Sequence, residues 1–398
     1  MSTRTRSVLT VLLCAFALAT GAFAQTSSTT GEIAGRVVDE SDAVLPGVTV
    51  TATNVNTGLS RTVVTGGNGD YAVGLLPPGT YRITAELSGF RTATQENVEV
   101  LLGTTTTVRL QLGAELAEEI TVTAEAPVVD TTEAGLTVSV TREQIENLPI
   151  LGRDFSDLIL LTPGAGEAFG ERVSLNGARG IQSDYNIDGA DATSDFFGEE
   201  RGGTEAPFVF SQAAIQEFQV LRSSYKAEYA KGVGATLNAI TKSGTNELNG
   251  EVFYFRRDAD WADERSATLG GERVEEFFEA RDSDQYGFAV GGPIQRDRIH
   301  FFLNGDFQDI SEPLFVRDVR QDNLFVGLPA EQQAAFLARV EQLLGGPLDR
   351  EIRFDSKEDQ ETYLAKIDAS LGAGTQASLR YNSADYNNFP SEGAFDIL

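Results

Sequence analysis

The run Ile215–Phe255, IQEFQVLRSSYKAEYAKGVGATLNAITKSGTNELNGEVFYF, divides the chain into two kinds of architecture. Phe218 and Val220 alternate with polar neighbours, the period-two mark of a half-buried strand. Gly232, Gly234 and Ala235 follow, then Leu237 and Ile240, the turn-rich TKSGTN of 241–246, and a second, aromatic strand. Upstream, the sequence reads as small soluble domains. Downstream, it reads as long strands with one apolar face.

The downstream part carries its signal in alternation. Tyr286, Phe288 and Val290 oppose Gln285, Gly287 and Ala289, and Ile299, Phe301, Leu303 and Phe307 oppose His300, Asn304, Asp306 and Gln308. In 361–371, Tyr363, Ala365, Ile367 and Leu371 oppose Lys366, Asp368 and Ser370. In 375–386, Ala377, Leu379 and Tyr381 oppose Gln376, Ser378, Arg380 and Asn382. Segments of about ten residues with one apolar and one polar face are expected of a transmembrane β-barrel. A second soluble sandwich would alternate too, but the connections separate the two readings. They run long (257–283), short (293–298), long (310–360) and short (372–374), the parity of a membrane barrel. The second long connection contains an amphipathic helix, 329–344, with Ala335, Phe336, Val340 and Leu343 on one side. His300 falls on an inward-facing wall position of the third strand.

Residues 1–24 combine Arg4 and Arg6, an apolar run from Val8 to Ala19 and Ala22-Phe23-Ala24, which reads as a signal peptide cut before Gln25. From 25 to 113, short apolar-alternating segments are separated by Leu45-Pro46-Gly47, Gly66-Gly67-Asn68-Gly69-Asp70 and Pro77-Pro78-Gly79. This pattern predicts an all-β sandwich of about seven strands. Its inward positions are Ile33, Val37, Val48, Val50, Ala52, Val63, Tyr71, Val73, Tyr81, Ile83, Ala85, Val108, Leu110 and Leu112. Residues 114–127 form an acidic, then β-prone linker. In 128–245 strands and helices mix: Val138 and Val140 alternate, Thr141 with Gln144 makes a capping box for TREQIENL, and a second short helix spans Asp154 to Leu161. Asp184, Asn186, Asp188, Gly189 and Asp195 come close to a calcium-loop spacing. The last position lacks the bidentate Glu, however, and the flanks alternate as strands, so a strand ending in an Asp-Gly turn is expected.

Three of these regions resemble known families. The pattern E-F-x-V … Y-x-A-E-Y … G-x-x-x-N-x-x-T-K-S-G-T-N, Glu217 through Asn246, resembles the plug-to-barrel junction of TonB-dependent outer-membrane receptors, in particular the Oar-like branch. NLPILGRDFSDLILLTPG (147–164) and SLNGARGIQSDYNIDGADATSDFFG (174–198) resemble that family's plug. GRVVDESDAVLPGVTVTA (35–52), NGDYAVGLLPPGTYRI (68–83) and SGF (88–90) resemble the carboxypeptidase regulatory-like domain, a non-catalytic module. The resemblance implies a mainly β chain: N-terminal sandwich (25–113), linker (114–127), α/β plug domain (128–245) and the first strands of an incomplete transmembrane β-barrel (246–398). About five barrel strands are expected here, against about 22 in plugged transporters, so the chain reads as an N-terminal fragment.

The resemblance also implies the function. Glu119, Ile120, Thr121, Val122, Thr123 and Ala124 resemble a TonB box, a short segment that would pair edge-to-edge with TonB of the TonB–ExbB–ExbD complex. The chain would sit in the outer membrane in contact with its lipid, with the N-terminal domains in the periplasm, and would import a glycan, peptide or metal chelate by plug displacement. An adhesion or scaffold protein without energy coupling is the alternative. Composition supports no enzyme: Cys14 is the only cysteine and His300 the only histidine, so there is no His/Cys metal set, no expected cofactor and no catalytic pair. A net charge of −28 argues against a nucleic-acid partner.

Overall fold

The computed structural model describes residues 29–114, 136–148, 158–160, 162–168, 172–175, 177–178, 182–193, 209–223, 234–258, 261, 267–269, 272–274, 282–316, 332, 334–336, 338–339, 342, 352–372 and 375–390. The expected signal peptide and most of the linker lie outside these residues.

The first seven strands form a sandwich: β1 (Gly31–Asp39), β2 (Thr49–Asn54), β3 (Ser60–Val64), β4 (Asp70–Leu76), β5 (Gly79–Glu86), β6 (Ala93–Val100) and β7 (Thr105–Leu112). Sheet β4-β1-β7 faces sheet β3-β2-β5-β6, and β1 and β7 pair in parallel. Every expected inward residue belongs to the core, with Val63 only partly buried at its margin. The two core tyrosines keep their hydroxyls satisfied. Tyr71 donates to the Val108 carbonyl at 2.8 Å and Tyr81 to the Pro77 carbonyl at 2.7 Å. Burying these rings therefore leaves no orphaned polar atom.

The middle region is built on β8 (Leu136–Val140), α1 (Arg142–Asn147), β9 (Ala165–Ala168), β10 (Arg172–Leu175), β11 (Asp184–Ile187), β12 (Ala190–Asp191), β13 (Ile215–Ser223) and β14 (Thr236–Thr241). Five of these strands make a mixed sheet in the order β12-β11-β14-β13-β8, with β9 and β10 as a separate hairpin. α1 starts where the capping box places it: the Gln144 side chain accepts from the Thr141 N–H at 3.0 Å, and Ile145 is fully buried beneath the helix. Of the second expected helix, only a 3-10 turn at 158–160 is described. Asp188 and Gly189 both have positive φ, +52° and +77°, so β11 and β12 are joined by the expected Asp-Gly turn and not by a calcium loop.

The last region is a meander: β15 (Asn249–Arg257), a small hairpin of β16 (Ala267–Leu269) and β17 (Glu272–Val274), then β18 (Asp282–Gln295), β19 (Ile299–Val316), β20 (Ile352–Gly372) and β21 (Thr375–Pro390). The five long strands pair antiparallel in the order β15-β18-β19-β20-β21 and, among the described residues, do not close into a barrel. Their faces are the reverse of a soluble sheet. Val252, Tyr254, Leu371, Leu379 and Tyr381 are all more than half exposed, Val252 at 86%. On the other face Gln285, His300, Asn304, Asp306, Gln308, Gln360, Thr362 and Lys366 are all buried. Water selects against such an arrangement, and lipid selects for it. Tyr286 stacks on Phe307 (centroids 5.3 Å apart) and Phe307 meets Tyr363 edge-on at 5.4 Å, a short aromatic band across three strands.

The long strands exceed the expected ten residues, reaching 18 in β19 and 21 in β20. Beyond the aromatic band the pairing continues through positions such as Asp309↔Asp359, where the outward stripe has turned polar. Hydrogen-bonded ladders need no apolar stripe, so alternation marks only the portion that meets lipid. The described residues of the 329–344 helix are helical but exposed, including Ala335 and Phe336. Val340 and Leu343 lie outside the described residues.

Candidate functional site

The middle sheet packs against the polar face of the long-strand sheet, and the contact is built from charge. Asp188, at the β11–β12 turn, is its hub. One carboxylate oxygen accepts the Thr241 N–H at 2.8 Å. The other accepts the Thr241 hydroxyl at 2.7 Å and the Arg380 guanidinium at 2.6 Å. Lys366 completes the set, 3.7 Å from Asp188 and donating to the Thr241 carbonyl at 3.2 Å. Lys366 and Arg380 are direct partners across β20 and β21. Two cations so placed would repel each other, and the Asp188 carboxylate between them removes the penalty. Burial alone would push the Asp188 carboxyl up, but Lys366, Arg380 and the Thr241 hydrogen bonds outweigh it and hold it below the usual carboxylate range.

Four further contacts join the middle region to the long strands. Asp306, fully buried on β19, accepts from the Ser211 hydroxyl at 2.5 Å and from Gln285 Nε2 at 2.8 Å. Arg380 lies over the Phe210 ring, 5.2 Å from its centroid, and Asn382 donates to the Val209 carbonyl at 3.3 Å. Lys242, at the end of β14, pairs with Glu146 of α1 at 3.0 Å and with Glu251 of β15 at 3.6 Å. Burial raises the Glu146 carboxyl, yet Arg142 and Lys242 together leave it lowered. The apolar part of the interface consists of Ala289, Phe302 and Leu364, with Phe253 of β15 partly buried beside them, all packed on the core of the middle region.

The sandwich is seated on the same assembly at a second place. The Leu102 N–H donates to Glu217 Oε1 at 2.9 Å, and the Leu102 carbonyl accepts from Gln219 Nε2. Burial pushes the Glu217 carboxyl up to about 7. The Leu102 N–H opposes that shift and the nearby Glu99 adds to it. His300 is on the wall of the third long strand as expected, with Nε2 3.0 Å from Asn246 Oδ1. The six residues expected to engage a partner, Glu119, Ile120, Thr121, Val122, Thr123 and Ala124, lie outside the described residues. Among the described residues no group of three or more His, Cys, Asp or Glu side chains is placed to hold a metal ion.

The sequence reading found the junction that carries this interface but not its charged residues. Asp188 was legible only as a turn residue. Lys366 and Arg380 were legible only as members of a polar face, because their pairing depends on a register that local sequence does not encode.

A meander with an exposed apolar face and a polar face packed against a small mixed α/β domain is the arrangement expected where the leading strands of an outer-membrane barrel meet an inner domain. Two family models match the chain: the carboxypeptidase regulatory-like domain over residues 32–113 and an outer membrane beta barrel domain over residues 240–315. The chain is a homologue of the TonB-dependent transporter Oar of Myxococcus xanthus, with 30% identity over 301 residues, 71% of this chain and 26% of the relative. A protein of Acinetobacter baumannii named as a TonB-dependent siderophore receptor, PirA, is 29% identical over 48% of this chain and 24% of its own length. The aligned region thus spans about a quarter of the length of either relative. Among solved structures, the outer membrane transporter YddB from Escherichia coli superposes with a TM-score of 0.43 at 16% identity, over 63% of this chain and 33% of that chain.

Proposed function

We propose that this chain supplies the plug, the N-terminal sandwich and the leading barrel strands of an energy-coupled importer in the outer membrane, with the sandwich and the short turns on the periplasmic side. The observation that carries the reading is the charged character of the plug–barrel contact. Asp188, Lys366, Arg380, Lys242 and Glu251 hold the plug in place by ion pairs and hydrogen bonds, with few apolar groups. Each of these groups can exchange its partner for water when the plug shifts, whereas a dry apolar seal would have to expose its whole area at once.

The mechanism follows from where force enters. The outer membrane holds no nucleotide triphosphate pool, so energy arrives mechanically. TonB, driven by ExbB and ExbD, grips residues 119–124 by strand addition and pulls. The first described plug element beyond that segment is β8, which among the described residues lies at the sheet edge and pairs with β13 alone. Tension would therefore peel β8 one residue pair at a time before it loads the Asp188 hub. The imported ligand belongs to one of three classes (glycan, peptide or metal chelate), and the siderophore receptor among the relatives keeps the chelate in view.

Substituting Val122→Pro removes a backbone donor from the gripped segment and tests the coupling directly. TonB-dependent import should be lost while the amount of receptor in the outer membrane stays the same. Unchanged function would favour an adhesion or scaffold role without energy coupling.

A further inference from the structure

The N-terminal sandwich touches two bodies that the proposed mechanism moves apart. Its β6–β7 turn is held by the plug: both backbone polar groups of the fully buried Leu102 are satisfied by Glu217 and Gln219 of β13. The turn is shaped for this seat. Gly103 has φ +65°, and a Cβ there would lie 2.6 Å from Gln219 Oε1. Gln219 also reaches the Ser139 hydroxyl on β8 at 3.2 Å, so one side chain ties together the sandwich, the plug sheet and the edge strand next to the linker.

Its β2–β3 turn is held by the barrel rim. The Asn56 carbonyl accepts the Asn246 N–H at 2.8 Å. Asn246 in turn exchanges two hydrogen bonds of 2.7 Å with Asp297, in the short turn between β18 and β19, and meets His300 on the barrel wall. Gly58 approaches that turn so closely that a Cβ would fall 2.2 Å from Asp297 Oδ1.

A body bonded to both a moving and a fixed part resists their relative motion. We propose that the sandwich is a clamp across the periplasmic mouth, joining plug strand β13 to the barrel turn at Asp297, and that its hold on the barrel rim opens when the plug is pulled. The inference rests on plug displacement as the transport step. It gives the sandwich a mechanical role: setting the force at which the plug yields. The contacts it must break are few and polar, which suits a device that opens and recloses.

Cysteine pairs test this, because the only native cysteine, Cys14, lies in the expected signal peptide. Asn56→Cys with Arg298→Cys places two thiols on exposed side chains flanking the rim contact and leaves its backbone hydrogen bond intact. Val209→Cys with Asn382→Cys spans plug and barrel. Both pairs are treated with a short bis-maleimide in cells, with and without a protonophore. The clamp predicts efficient cross-linking of 56 to 298 when the protonophore removes the driving force, and a several-fold lower yield in energised cells. If the 209–382 yield responds to energisation but the 56–298 yield does not, the clamp is overturned and plug displacement stands. If neither responds, both fall.

Discussion

Replacing Asp188 with Asn should loosen the plug more than any other single conservative change at the interface. Asn tolerates the left-handed backbone at φ +52° and keeps one acceptor for the Thr241 N–H, but its amide nitrogen replaces the oxygen that accepts from Arg380 and the Thr241 hydroxyl, so the substitution removes the charge together with the acceptor that Arg380 uses. Two cations, Lys366 and Arg380, are then left facing each other with no anion between them. Breaking a buried pair by removing one partner costs about 3–5 kcal/mol. The side chains here are 9–20% exposed, so hydration recovers part of that, leaving about 2–3 kcal/mol. At 1.4 kcal/mol per factor of ten, local opening becomes roughly 30- to 150-fold more frequent. Hydrogen exchange on the protein in detergent micelles reads this directly, through the Asp188 and Thr241 amides, which donate to the Ala239 carbonyl and to Asp188 itself. Glu251→Gln is the control, because Glu251 is half exposed and its pair with Lys242 contributes under about 1 kcal/mol. An acceleration below about threefold in Asp188→Asn, or one matched by Glu251→Gln, would refute the hub.

Three other outcomes are expected. Glu217 has its carboxyl raised to about 7 in the folded protein, so its contribution to the sandwich seat is complete below about pH 4.5 and is lost as pH rises through 7; protection of the Leu102 amide should fall between pH 6 and pH 8, and Glu217→Gln should flatten that dependence. Gln219→Ala strands the buried Leu102 carbonyl at a cost of about 1–3 kcal/mol, and protease cleavage near residues 101–104 should rise accordingly. Leu379→Arg is nearly neutral if the outer face meets water, but costs about 2–4 kcal/mol if it meets the middle of a bilayer; insertion yield into lipid vesicles, compared with Leu379→Ile, distinguishes the two.

What the sequence revealed depended on how local each signal was. The sandwich was legible because its turns, such as 66–70, and its alternation lie within a few residues of each other, and its core contains the residues that the alternation picked out. The lipid-facing stripe was legible for the same reason. Strand ends were not, since the β19–β20 ladder continues past the point where the outward apolar stripe stops. The Asp188 hub was out of reach because it joins positions 188, 241, 366 and 380, and only the folded register brings Lys366 opposite Arg380. Glu217 and Gln219 stood inside the quoted junction run, but nothing in their spacing says that they receive a turn from a domain more than a hundred residues earlier.

A periplasmic partner that pulls this plug by residues 119–124, as proposed above, must touch that segment in the cell. The most direct measurement places a photo-activated cross-linker at Thr121 in living cells and identifies the adduct. The expected result is a covalent complex with TonB that disappears when Val122→Pro is added, while receptor abundance is unchanged. Receptor present in the outer membrane and labelled at Thr121 but never joined to TonB would contradict it.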